Sequence, residues 1–100
     1  MSLLTDARQA IRIKTDTFDT ELKDLIDAAT LDLSSCGILK SKLDTLTTVT
    51  PDALLKQCIK LYCKANFGLD NTDSEKYQKA YEGLKTSLLL KREYTVEGAV

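Results

Sequence analysis

The residues of this chain that could do chemistry are carboxylates, thiols and lysines. Asp24, Asp27 and Asp32 recur along one segment, and Asp70 and Asp73 fall together in another. Paired acids can move protons or hold Mg²⁺, but only where they converge in a cleft that raises a pKa. Asp24 and Asp27 are spaced i, i+3, which on a helix gives one surface strip opposite the Leu/Ile stripe of the same segment. They read as a solvated face. Cys36, Cys58 and Cys63 are odd in number, in a chain with enough apolar residues for its own core, so they read as reduced, packed thiols. The chain has no His, which removes the commonest general base and metal ligand and excludes His-based triads and zinc sites. Gly37, Gly68, Gly83 and Gly98 are isolated, so no glycine-rich loop cradles a phosphate. These residues point to no enzyme, no cofactor and no metal.

Lys56, Lys60 and Lys64 repeat every fourth residue and line one helical face over a little more than two turns. Lys76 and Lys79 add charge on the following segment. A solvent face is one reading. The wall of a channel that carries DNA, with the stripe repeated around a ring of subunits, is the other. Fourteen basic against fifteen acidic residues give a net charge of -1, so no overall field draws the chain to nucleic acid or an anionic membrane.

Helices must position these residues. The chain has 100 residues, 43% of them hydrophobic and 29% charged, with four Gly and one Pro, which suits a single helical domain. A short first helix is expected over residues 5–13. The second, over 19–35, carries Leu22, Leu25, Ile26, Ala29 and Leu33 as one stripe and ends at Gly37. The third starts at Thr50-Pro51-Asp52, with Thr50 as cap and Pro51 as first helical residue, and runs to residue 66 or 67. Its apolar residues wrap over half its circumference, which makes it the central helix. A capping box, Thr72-Asp73-Ser74-Glu75, opens the fourth, which runs to about residue 90. The expected fold is all-α: a four-helix domain over 1–90, a long loop between helices 2 and 3, and a flexible C-terminal tail over 91–100. Tyr62 and Phe67 are assigned to the core, whereas Tyr77 and Tyr81 fit core and interface equally. The start, MSLLTDARQ, lacks the pattern of a signal peptide, and no apolar run approaches the ~18 residues that would cross a membrane.

Two segments together carry a family resemblance. One is 4–29, with Ala10-Ile11-Arg12-Ile13, Asp16-Thr17-Phe18-Asp19 and Glu21-Leu22-Lys23-Asp24-Leu25-Ile26-Asp27-Ala28-Ala29. The other is the run KANFGLDN over 64–71, followed by EKYQKAYEGLK over 75–85. This pairing resembles the small head-tail connector, or head-completion and DNA-packaging, proteins of tailed bacteriophages and prophages, over residues 4–90. The resemblance implies a structural subunit that forms a dodecamer-like ring on the portal vertex, a closed heterologous assembly. Its implied partners are copies of itself, the portal protein, a stopper or tail-completion protein, and packaged DNA passing through the channel. It implies the host cytoplasm during assembly and the virion neck afterwards, with no membrane.

Within that expectation the subunit interface falls on Leu46, Val49, Tyr77, Tyr81 and Tyr94, and the channel lining on Lys56, Lys60 and Lys64. Leu46 and Val49 also fit a blander reading, as apolar cover for the bundle end. A helical DNA-binding regulator is the alternative. It needs Arg, Asn or Gln where its recognition helix begins, and Pro51-Asp52-Ala53-Leu54-Leu55 supplies acid and apolar residues there. A small enzyme using Asp24 and Asp27, or a thiol of depressed pKa, is a second alternative.

Overall fold

In the computed structural model, which describes residues 3–12, 17–48, 51–67 and 73–98, every regular element is helical. The order is α1 (Leu3–Ala10), α2 (Asp19–Cys36), α3 (Lys40–Leu43), a 3-10 turn (Asp44–Thr47), α4 (Ala53–Asn66), α5 (Ser74–Leu89) and α6 (Arg92–Thr95). The apolar wrap of α4 has the expected consequence. Leu55, Cys58, Ile59 and Cys63 are fully buried, and α1, α2 and α5 all pack against this helix. From α2 the stripe of Leu22, Ala29 and Leu33 is fully buried, with Leu25 and Ile26 packed at its edge.

Gly37 ends α2 in the left-handed region, at φ 119°. Its N–H donates to the Ser34 carbonyl, and the Ile38 N–H reaches back to that of Leu33. A β-carbon is strained in this conformation, so glycine belongs here.

Helix starts differ from expectation. α4 begins at Ala53, and its cap is Asp52, not Thr50: Asp52 Oδ1 accepts from the Leu54 and Leu55 N–H groups, each at 3.0 Å. At the start of α5, Asp73 takes the cap position and the Ser74 hydroxyl donates to the Ala65 carbonyl, while Thr72, the first residue of the expected capping box, is not among the described residues. α1 ends at Ala10, short of Ile13. Ile13, Thr50, Gly68, Asp70 and Thr72 lie outside the described residues.

The loop and the tail need correction too. The connection after α2 contains α3 and the 3-10 turn, and it buries Leu43 and Leu46. Its threonines supply the reason. Hydroxyls of Thr45, Thr47 and Thr48 donate to the carbonyls of Lys42, Asp44 and Thr45, each three residues back, which tightens the backbone into short helical turns. Residues 92–95, expected in a flexible tail beyond residue 90, form α6, which is docked through one aromatic side chain, Tyr94, at 4% exposure.

Candidate functional site

Two polar clusters tie the helices together. In the first, Asp32 on α2 faces α5. Its Oδ2 accepts from the Tyr81 hydroxyl at 2.6 Å and from Lys85 Nζ at 2.9 Å. Lys85 also lies 3.0 Å from Glu82, while Tyr81 is fully buried and packs edge-on to Tyr62 at 5.2 Å between ring centroids. Tyr81, Lys85 and Leu88 share one side of α5, so a lysine stands at a core position of that helix and needs a carboxylate partner.

In the second, Asp52 caps α4 and also accepts from the Tyr94 hydroxyl, at 2.9 Å to Oδ2. The Leu39 N–H donates to the Tyr94 carbonyl at 2.8 Å, and the Lys42 ammonium lies 5.4 Å from the centre of the Tyr94 ring. The Asp52 N–H donates to Thr45 Oγ1. One residue of α6 is thereby fastened to the cap and the body of α3 and to the start of α4.

The electrostatics of these groups suit structure, not turnover. Hydrogen bonds from Tyr81 and Lys85 hold the Asp32 carboxyl below its ordinary value. Burial, aided by the Asp32 carboxylate, pushes the Tyr81 hydroxyl up. Burial pulls Lys85 down, but its hydrogen bonds to Asp32 and Glu82 and their charges outweigh that, so its pKa is raised. Burial pushes the Cys58 and Cys63 thiols up to about 12. Each shift moves a group away from neutrality, whereas acid-base and nucleophilic work needs the reverse. Cys36 corrects the expectation of three packed thiols, because it is exposed.

The structure scatters the residues expected at an interface. Leu46, Tyr81 and Tyr94 are buried inside the single subunit, so their apolar surface is spent on its own core. Tyr77 is half-buried, and Val49 lies outside the described residues. Lys56, Lys60 and Lys64 share α4 but not one free face: Lys56 pairs with Asp6 of α1 at 3.4 Å, and Lys64 lies 5.0 Å from the Tyr77 ring centre. Lys60 is half-buried. Asp24 and Asp27 are exposed on α2. Among the described residues no group of three or more His, Cys, Asp or Glu could hold a metal, and no helix is long and apolar enough to cross a membrane.

The polar clusters of this small helical subunit fasten helix to helix, which is the arrangement of a structural building block. Residues 3–95 match the family described as phage connector protein, and the chain belongs to that family. Its role is therefore that of a phage head-tail connector, which is structural and associates with the portal and head-tail proteins. The match takes in the connection after α2 and all of α6, beyond the segments that carried the resemblance in the sequence. No curated protein and no solved structure matches the chain.

Proposed function

We propose that copies of this subunit close into a ring on the portal vertex, where the ring extends the DNA channel and helps complete the head and retain the DNA. On its far side the ring presents the surface for a stopper or tail-completion protein. The family match across 3–95 carries this reading. The surface agrees with it: Leu31 is 70% exposed and Leu90 82%, large apolar side chains that the subunit's own core leaves uncovered. A net charge of -1 suits a subunit that packs mainly against copies of itself. The lysines of α4 are proposed for the channel wall, with Lys56 contributing least because Asp6 already balances it.

Light-scattering mass on a sizing column, alone and with the phage's portal protein, tests the reading, with negative-stain images of any large peak. The proposal expects a multi-subunit ring in at least one of the two conditions. A stable dimer that retards DNA would replace it with the regulator.

A further inference from the structure

The two outer helix faces of this subunit match each other. On α2 the fully buried residues are Leu22, Ala29 and Leu33. At about 3.6 residues per turn, Asp24, Asp27 and Leu31 fall on the opposite side, and all are exposed. On α5 the buried side is Tyr81, Lys85 and Leu88, and Lys76, Lys79 and Gly83 fall opposite it, also exposed. The spacings are identical: acid, acid, leucine on one helix and base, base, glycine on the other, related by one constant offset. Each set spans about 10 Å along its axis.

From this geometry we infer that α2 of one copy packs in parallel against α5 of the next, with Asp24 meeting Lys76, Asp27 meeting Lys79 and Leu31 seated on Gly83. The inference rests on the ring reading and names its subunit contact. Three observations support it. First, the charges are complementary, and all four belong to exposed side chains. Lys79 already pairs with Glu75 at 3.3 Å, but those side chains are 77% and 83% exposed, so that pair is weak and leaves the ammonium open to a second carboxylate.

Second, Leu31 and Gly83 are complementary in shape. A β-carbon on Gly83 would meet no atom of the subunit within 4 Å, so nothing inside the subunit uses the close approach that glycine permits. A leucine knob from outside would use it.

Third, the direction fits. Asp32 bonds Tyr81 and Lys85, and Gly37, just past α2, abuts the Leu89 side chain at the end of α5, so the two helices run the same way within one subunit. Rotation about an axis along these helices keeps that direction from copy to copy. The α2 of one copy then faces the α5 of its neighbour in parallel, which is the alignment that pairs the two sets in register.

Charge reversal tests this on the full chain, with assembly read as mass, alone and with the portal protein. Asp24→Lys with Asp27→Lys, and separately Lys76→Glu with Lys79→Glu, should each reduce the ring to the 11.1 kDa subunit. The fourfold variant, with both sides reversed, should restore the ring. Far-ultraviolet circular dichroism checks that each variant keeps its helices. Gly83→Gln is a second route, because it fills the notch at an exposed position: it should keep the subunit folded and abolish assembly. Reversals that leave the ring mass unchanged, or a folded fourfold variant that stays monomeric, overturn this contact while the ring stands. A wild-type chain that never assembles, even with the portal, overturns the ring and this contact together.

Discussion

Replacing Asp32 by Ala strips two buried donors of their common acceptor. Tyr81 is fully buried and Lys85 9% exposed, so neither regains full hydration when the carboxylate is gone. A buried donor left unpaired costs about 1–3 kcal/mol, more when it is charged. Lys85 keeps Glu82 at 3.0 Å, and the Asp32 side chain is itself 37% exposed, so solvent already screens part of what it contributes. The net loss works out at about 2 kcal/mol. For a domain of this size that lowers the melting temperature by about 8–16 °C. Asp24→Ala, on the exposed face of the same helix, should stay within about 0.5 kcal/mol of wild type. Thermal melts followed by circular dichroism give both values.

Acid provides a second readout. The Asp32 pKa is lowered in the fold, so between the folded value and 3.8 the unfolded chain takes the proton first. The advantage of wild type over an Asp32→Asn variant is therefore full above pH 3.8 and is lost as pH falls through the folded pKa. Equal melting temperatures for Asp32→Ala and Asp24→Ala would mean that Tyr81 and Lys85 do not depend on the Asp32 carboxylate.

At neutral pH a thiol reagent should modify Cys36 quickly, and Cys58 and Cys63 only when the chain opens; three fast thiols would contradict the burial described. Because those two thiols rise from 9.0 to about 12 in the fold, their contribution to stability is complete below pH 9.0 and declines as pH climbs toward about 12, which alkaline melts would record. Tyr94→Ala should cost about 3 kcal/mol by emptying the α6 anchor, and Tyr94→Phe about 1 kcal/mol by removing only the hydroxyl. Equal losses in denaturant titrations would show that the ring packs nothing. Gly83→Ala should stabilise the isolated subunit by up to about 1 kcal/mol, since the position is helical, exposed and open. A destabilised subunit would mean the site is crowded.

The features legible in the sequence are those with long periodic signals. The α2 stripe, its Gly37 stop and the wrapped α4 are local properties of many residues at once. The elements missed are short or fixed from a distance. α3 and α6 have four residues each, about one turn, which leaves no period to read. At the start of α4 the sequence points to Thr50 as the cap, with Pro51 as first helical residue. The structure uses Asp52, whose carboxylate also receives the hydroxyl of Tyr94, a residue far along the chain. Lys85 carried a usable signal, since a lysine on the buried face of α5 requires a carboxylate. Nothing local said that the carboxylate is Asp32. Leu46 and Tyr81 read as core or as interface, and Tyr94 as interface, because the groups that bury them inside the subunit are likewise remote in the chain.

The most direct test of the connector account is the mass of this chain mixed with the phage's purified portal protein, measured by light scattering and imaged in negative stain. A connector subunit should give a complex in which many copies of the chain form a ring seated on the portal. A chain that stays at 11.1 kDa and elutes apart from the portal at all concentrations would contradict it.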